Sequence, residues 1–437
     1  MNHARASDSG RSSRDRIARL LGRGRLHSGQ VERDRPRPAA EDSGDPVWSS
    51  QGDPGQLELT EGLQGEFLAR QQNFPGDSLH GAWRLDEVSD LDPRAFGLLC
   101  EDRDLGHLDP HRAVYLDTET TGLSGGAGTY VYMVGLGWFE NGRFRVWQGF
   151  LGGPEQEPAL LAESARRIAS ADAVVSFFGK SFDRHRLEDK MNIHGVPSPF
   201  LQRPHLDLYH PMRRVNGGQF ENNRLQTLEV ELLGLVRERD LPGSLAPAAW
   251  FDYLAGREHQ LEGVFHHNLL DVLSLVTLTA HLGHTLAERR PSGEVLKGCS
   301  ARRAWAVGRA LWRAGQRVES IEWMGRAISR FDQVGDGTRE QYWLYADCLR
   351  RVGRQEAALS ALAELAEGGP DAASVLACEA LAKMHEHGLG NLVEAARWVR
   401  RAVELLDALE SAGVTPRAVP TTESLSKRLE RVQRKAR

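Results

Sequence analysis

Short apolar runs between residues 113 and 151 predict three β-strands. The first run, from Ala113, is almost wholly apolar up to Asp117 and is typical of a buried strand. A second run extends from about Thr129 to Phe139, and a third from Arg143 to Phe150. Between the last two stands Asn141-Gly142, a two-residue signal for a β-hairpin. We therefore expect a hairpin beside a buried strand.

Downstream, segments of helical periodicity alternate with short apolar runs. The apolar spacing predicts helices over Pro158–Ser170, Arg224–Leu233 and Val264–Leu282. Short strands are predicted over Ala173–Phe177 and His205–Leu208. Residues 113–282 are therefore predicted to contain both strands and helices.

After Gly298 the chain becomes rich in Ala, Leu, Arg and Glu with helical periodicity. Three segments look alike, each with a first helix ending at a glycine and a second, Ala-rich helix: Arg302–Ala327, Tyr342–Leu365 and Leu376–Leu405. Their glycines, Gly315, Gly353 and Gly388, recur at close to the tetratricopeptide period of about 34 residues. Stacked helix pairs of this kind form a solenoid that commonly binds peptides. A helical bundle that only supports the preceding domain is the alternative.

Composition narrows the classes of protein to consider. The chain has 437 residues, of which 40% are hydrophobic and 26% charged, as in soluble proteins with a sizeable core. Its four cysteines share no spacing typical of zinc sites or disulfides, which suits a reducing compartment. No apolar run is long enough to span a bilayer. We expect a cytoplasmic protein that does not act at a membrane.

Composition also divides the chain into five segments. Residues 1–46 are rich in Arg, Ser, Asp and Pro and are expected to be disordered. Residues 47–110 are read as a lead-in segment that packs on the domain that follows, residues 111–290. The helical repeats occupy 301–411, and 412–437 is a basic tail. The net charge of −5 excludes a globally basic nucleic-acid binder, so the tail is either a solvated helix or a local nucleic-acid contact.

The candidate chemistry begins where the first strand ends. In a strand, side chains at i and i+2 point to one face, so Asp117 and Glu119 should stand together. Two adjacent carboxylates repel unless a cation neutralises them. Oxygen ligands of this kind favour hard divalent ions such as Mg²⁺ or Mn²⁺. Taken alone, this pair is more often a turn that happens to carry acids.

Three stretches in order resemble the motifs of the DEDD superfamily of 3′–5′ exonucleases, which have a ribonuclease H-like fold. The run from Asp117 to Gly122 resembles the first motif, and Phe182-Asp183 the second. His267 and Asp271, on the long helix, match the third. The resemblance implies a ribonuclease H-like α/β domain with a mixed sheet. Joined to tetratricopeptide-like repeats, it also resembles a group of uncharacterised bacterial ribonuclease H-like proteins.

The resemblance implies hydrolysis of DNA or RNA phosphodiester bonds by a two-metal mechanism. The acids that would hold two Mg²⁺ or Mn²⁺ ions are Asp117, Glu119, Asp183 and Asp271. A histidine would serve the attacking water. We favour His267, one helical turn before Asp271, over His266, unless the helix begins only after His266.

Further residues are assigned to the nucleic acid or to support of the site. The residues assigned to nucleic-acid contact are Thr120, Thr121, Gly122, Lys180 and Phe182. Asp207 is expected either to orient a metal ligand or to have a capping or surface role. Relatives of the family-B polymerase type usually carry a substrate-contacting Asn where Phe178 stands, so this chain departs from their pattern there.

Two other functions stay open. One is a nuclease fold with weak or absent catalysis that binds nucleic acid. The other is an adaptor whose repeats recruit a protein partner. The presence of all four acids favours the enzyme.

Overall fold

The computed structural model describes residues 56–437, except 90, 93, 123–127, 202, 239, 287–299 and 335–336. The segment expected to be disordered, residues 1–46, lies outside the described residues. The chain divides into two compact units. Of the described residues, those before 94, 107–209 and 222–283 form the first unit, and those in 94–106, 210–221 and 284–437 form the second.

A mixed seven-stranded sheet is the centre of the first unit. The strands, including a separate two-stranded ladder of β3 and β4, are β1 Glu58–Gly62, β2 Gly65–Pro75, β3 Leu79–His80, β4 Trp83–Arg84, β5 Ala113–Thr120, β6 Val131–Glu140, β7 Arg143–Phe150, β8 Ala173–Ser176 and β9 His205–Asp207. Their order in the sheet is β1-β2-β7-β6-β5-β8-β9. Pairing is antiparallel from β1 to β5 and parallel from β5 to β9. The strands predicted between residues 113 and 207 are confirmed.

Two strands in the lead-in segment extend the sheet. Strand β2 pairs with β7 from Leu68 opposite Phe150 to Pro75 opposite Arg143, and β1 pairs with β2. The mixed composition of this segment hid both strands. Strand β5 also continues three residues beyond the predicted end at Asp117, because its pairing with β6 extends to Thr120. Glu119 therefore lies within the strand.

Helices make up the remaining elements. In chain order they are α1 Arg94–Cys100, α2 Glu157–Ala169, α3 Asp183–Ile193, α4 Tyr209–Asn216, α5 Leu225–Leu228, α6 Ala246–Leu254, α7 Leu261–Gly283, α8 Ala301–Arg313, α9 Arg317–Val334, α10 Arg339–Arg351, α11 Gln355–Ala366, α12 Ala372–His387, α13 Leu392–Ser411 and α14 Thr422–Lys435. The helix predicted over Arg224–Leu233 is instead the short α5 followed by a π-helical turn, Glu229–Leu233. Among the described residues, no helix combines the length and apolar composition that crossing a membrane requires.

The two faces of the sheet are covered by different helices. On one face, Leu160 of α2 packs against Gly149 and Trp147. On the other face lies α7, whose residues from Val272 to Gly283 are buried. A fully buried Leu, Ile or Val contributes roughly 1.5–3 kcal/mol, so α7 is fixed firmly against the strands.

Two glycines of β6 allow α7 to lie unusually close to the sheet. A Cβ atom on Gly135 would lie 2.3 Å from Oδ1 of Asn268. A Cβ atom on Gly137 would lie 2.7 Å from a methyl carbon of Val272. Neither separation is tolerated, so the depth of α7 depends on the absence of these side chains.

The second unit contains the helix pairs that begin at Ala301. Gly315 and Gly353 follow the first helices of two pairs with φ angles of +84° and +79°, which favour glycine. In the third pair, Gly388 follows α12 with φ of −98°, and the left-handed residue is Gly390. The predicted helical composition is confirmed, with the turn shifted at the third glycine.

The basic tail contains a packed helix, α14. It buries Leu425 and Val432, and three of its basic side chains contact the fully buried carboxylate of Glu386: Arg428, Arg431 and Lys435. The hydrogen bonds from Arg431 and then Lys435 lower the pKa of Glu386 to about 2. These three positive charges are therefore already paired within the unit.

Gly135→Ala should lower the free energy of unfolding by about 1–3 kcal/mol, the usual cost of overpacking a filled core. Urea denaturation of the full chain measures this change. Gly369→Ala is the control, because a Cβ there meets nothing within 4 Å. Equal stability of the two variants would contradict the close packing of α7.

Candidate active site

Asp117 and Glu119 project from β5 towards the face covered by α7. Asp117 pairs in register with Gly135, and Glu119 with Met133. Both side chains are partly exposed, whereas Leu116 and Thr118 between and beside them are buried. Nδ2 of Asn268 donates a hydrogen bond of 2.8 Å to Oδ2 of Asp117. The predicted sharing of one strand face is thus seen in the structure.

Asp183 is brought beside β5 by the loop that precedes α3. It is the first residue of that helix, it is buried, and Oδ1 accepts a hydrogen bond from the hydroxyl of Thr118. A Cβ on Gly179 would lie 2.9 Å from Oδ2 of Asp183, so this loop too needs a glycine. The second motif therefore lies next to the first.

Asp207 holds that loop through its backbone. The carboxylate accepts hydrogen bonds from the N–H groups of Phe178 at 2.8 Å, Lys180 at 3.1 Å and Tyr209 at 3.1 Å. Phe178 has a φ of +61°, a strained conformation for an aromatic residue. Of the roles expected for Asp207, the structure shows the capping one.

The third motif lies on α7, which begins at Leu261 and so includes both histidines. Nε2 of His267 is 3.7 Å from Oδ2 of Asp271. Nδ1 of His267 is 2.8 Å from Oδ1 of Asp240. His266 is exposed. The late helix start that would have favoured His266 is not found.

Three residues of the site escaped sequence reasoning: Asn268, Arg237 and Asp240. The side chain of Arg237 is only 5% exposed and pairs with Glu229, Asp240 and Asp271. No hydrophobic period or short motif marks it. The sole sequence signal was the run of mixed charges between the helix after residue 224 and Pro242.

The acids raise one another's pKa values. Burial, then the negative charges of Asp271, Asp183 and Glu119, raises the pKa of Asp117 well above its usual range. Burial raises the pKa of Glu119 to about 8, although the charge of His267 opposes the shift. Burial also raises the pKa of Asp183 to about 6, against the hydrogen bond from Thr118. When ionised, these three carboxylates carry a negative charge that the surrounding residues compensate only in part.

The pKa of His267 is raised as well, which for a histidine favours the charged form. Burial lowers its pKa, but the hydrogen bond to Asp240 and the charges of Asp271 and Glu119 outweigh burial and raise the pKa to about 9. In the absence of a bound metal ion, the imidazole ring of His267 is therefore positively charged at neutral pH.

The donor set suits a hard divalent ion. Carboxylate oxygens are the ligands that Mg²⁺ and Mn²⁺ prefer, and mutual repulsion among Asp117, Glu119 and Asp183 is what such an ion would relieve. Among the described residues, no three His, Cys, Asp or Glu side chains are already arranged to hold a metal ion. Asn268 engages Asp117 and Arg237 engages Asp271. The chemistry fits, because each of these contacts occupies one carboxylate oxygen and leaves the other for an ion, although the carboxylates would have to move closer together to share it.

The residues assigned to the nucleic acid surround the two strand acids and the start of α3. Thr121 accepts the N–H of Tyr130 at 2.9 Å, and Thr120 donates to the carbonyl of Gly122 at 3.2 Å. Gly122 faces open space. Phe182 precedes α3, and the guanidinium of Arg186 lies 5.3 Å from its ring centre. Their contact with nucleic acid stays a prediction.

The metal-free protein should lose stability as the pH rises from about 4.5 to about 9, first through Glu119 and above about 6.5 through His267 as well. Glu119 and His267 have folded pKa values of about 8 and about 9, above their ordinary values of 4.5 and 6.5, so deprotonation disfavours the folded state. Thermal unfolding followed by circular dichroism measures the trend. Added Mn²⁺ should reverse it, because metal ions bind ionised ligands. Glu119→Gln should flatten the slope, and a slope unchanged in that variant would exclude Glu119 as a source.

Comparison with known proteins supports the fold. Residues 114–283 match the RNase_H superfamily. Over 328 residues the chain is 27% identical to the uncharacterized protein YprB of Bacillus subtilis (strain 168), a match that covers 73% of this chain and 76% of YprB. The superfamily match includes every acid of the site and suggests nuclease activity in general. The mixed sheet with its flanking helices is an RNase H-like fold.

Proposed function

We propose that this chain is a divalent-metal-dependent 3′–5′ exonuclease of the DEDD type that hydrolyses DNA or RNA. The observation that carries the proposal is the convergence of acids from three separate elements. Asp183, Asp271 and Glu119 all act electrostatically on Asp117. Structural ion pairs rarely leave several carboxylates with raised pKa values together, whereas catalytic sites do so by design. The 3′–5′ polarity is taken from the resemblance to DEDD exonucleases.

Each side chain has a role in the proposed reaction. The acids that would hold the metal are Asp117, Glu119, Asp183 and Asp271. The chemistry that two bound Mg²⁺ or Mn²⁺ ions supply is activation of a water and neutralisation of charge on the phosphoryl and leaving oxygens. Asp240 fixes Nδ1 of His267, so Nε2 is the atom placed to exchange a proton with a water in the site.

The second unit is proposed to recruit a protein through tetratricopeptide-like repeats. The succession of paired helices supports this, as do the left-handed glycines between the helices of each pair. A solenoid of such pairs presents a concave surface for a peptide. The partner is not specified by the sequence.

Asp117→Asn should reduce turnover by on the order of 100-fold or more, as loss of a central electrostatic contact does. The assay uses the full chain with Mn²⁺ or Mg²⁺ and single- and double-stranded DNA and RNA, labelled at either end. Asp172→Asn is the control, since Asp172 pairs with Arg112 on the surface. Undiminished activity of folded Asp117→Asn would remove the site assignment. Internal cleavage, instead of mononucleotide release from the 3′ end, would replace the exonuclease by an endonuclease.

His267→Gln should lower turnover by about 10²–10⁴-fold, the usual contribution of a proton-transfer group. His266→Gln should stay near the wild-type rate, because His266 is exposed and lies off the face shared by His267 and Asp271. Single-turnover hydrolysis of a labelled oligonucleotide compares the two variants. A large loss confined to His266→Gln would assign the water to the other histidine.

A further inference from the structure

A buried arginine, Arg237, lies directly against Asp271, the acid of the third motif. Arg237 donates to Oδ1 of Asp271 through Nη2, to Oε2 of Glu229 through Nε at 2.8 Å, and to Oδ2 of Asp240 through Nη1 at 3.1 Å. Planar guanidinium groups hold carboxylates in a fixed direction, which a lysine cannot do as well. Arg237 therefore links the acid of the third motif to the acid that holds His267.

The guanidinium of Arg237 is itself held in place by the buried carboxylate of Glu229. Glu229 is 1% exposed, and its Oε1 also accepts a hydrogen bond from the hydroxyl of Ser274. That hydroxyl lies 2.7 Å from Nε2 of His80, which is buried as well. Ser274 follows Asp271 by three residues on α7 and so lies on nearly the same helical face. This chain of buried contacts fixes Arg237, and Arg237 in turn fixes Asp271.

Arg237 does not take the place of a divalent cation. Its single positive charge is shared among three carboxylates, Glu229, Asp240 and Asp271. Arg237 engages only Oδ1 of Asp271, whereas Oδ2 faces His267 at 3.7 Å. One oxygen is held, and the other is directed to the site.

We propose that Arg237 is a positioning residue that aims Oδ2 of Asp271 at the metal site and holds Asp240 against His267. This inference rests on the proposed metal-dependent function. Carboxylates that ligate metals are themselves held by hydrogen bonds, and removal of such a partner typically costs 10–100-fold in metal affinity.

The test is calorimetric titration of Mn²⁺ into the full-length protein without substrate. Arg237→Gln should bind Mn²⁺ about 10–100-fold more weakly than wild type. Arg70→Gln is the matched control, because Arg70 is 8% exposed and forms two hydrogen bonds with Glu262. Glu262 lies on α7, the helix that carries Asp271. The Mn²⁺ affinity of Arg70→Gln should equal that of wild type. If the role of Arg237 were purely structural, Arg237→Gln and Arg70→Gln would change the Mn²⁺ affinity to the same extent.

Arg237→Gln leaves Glu229 buried without its cation, which can prevent folding. The double variant Arg237→Gln, Glu229→Gln removes both charges and should show the same weakened Mn²⁺ binding. Affinity equal to that of Arg70→Gln would overturn the proposal. Tighter binding would overturn it too, because Arg237 would then compete with the ion for Asp271. Absence of Mn²⁺ binding by the wild type would instead refute the proposed function, and this inference with it.

Discussion

The close contact between α7 and the sheet at Gly135 determines the rest of the site. It seats Asn268 where its amide reaches both Gln148, at 2.9 Å, and Asp117, at 2.8 Å. Nε2 of Gln148 also donates to the carbonyl of Phe265 at 2.7 Å, so polar groups tie strand to helix inside an apolar core. Buried polar groups need such partners, and their geometry is therefore well defined. The depth of α7 in turn sets the depth of Asp271.

Two charged clusters meet at Asp271, and their electrostatics differ. Around Arg237, Glu229 and Asp240 have a cation within hydrogen-bonding distance; contacts with His267 and Arg237 lower the pKa of Asp240 against burial, whereas burial still raises the pKa of Glu229. Around Asp117, with no cation in hydrogen-bonding contact among the described residues, burial and the neighbouring carboxylates raise its pKa well above its usual range. In the first cluster, the acids are paired with the guanidinium of Arg237, and the cluster supports the site. The second stores unfavourable charge that folding alone does not relieve, which is characteristic of a site built for a cationic ligand.

The sequence was informative wherever a local pattern carried the signal. The strands β5 to β9 and the long helix followed from periodicity, and the set of acids followed from the resemblance to the DEDD motifs. Strands β1 and β2 did not, because their pairing depends on β7, distant in the chain. Arg237 was equally hidden, because the contact that gives it meaning joins it to Asp271, 34 residues away. Such partners are properties of the fold and leave no trace in a local window.

At Phe178 the chain lacks the Asn side chain of the family-B polymerase type but keeps a left-handed backbone conformation. The left-handed φ of +61° there is a conformation that Asn adopts more readily than Phe. Here Asp207 accepts the N–H of Phe178, and the aromatic ring packs against Tyr209 with centroids 5.0 Å apart. These contacts offset a strain of order 1–3 kcal/mol. The backbone that carries Asp183 is thus retained without the amide of an Asn at position 178, so that amide is not what fixes the shape of this loop.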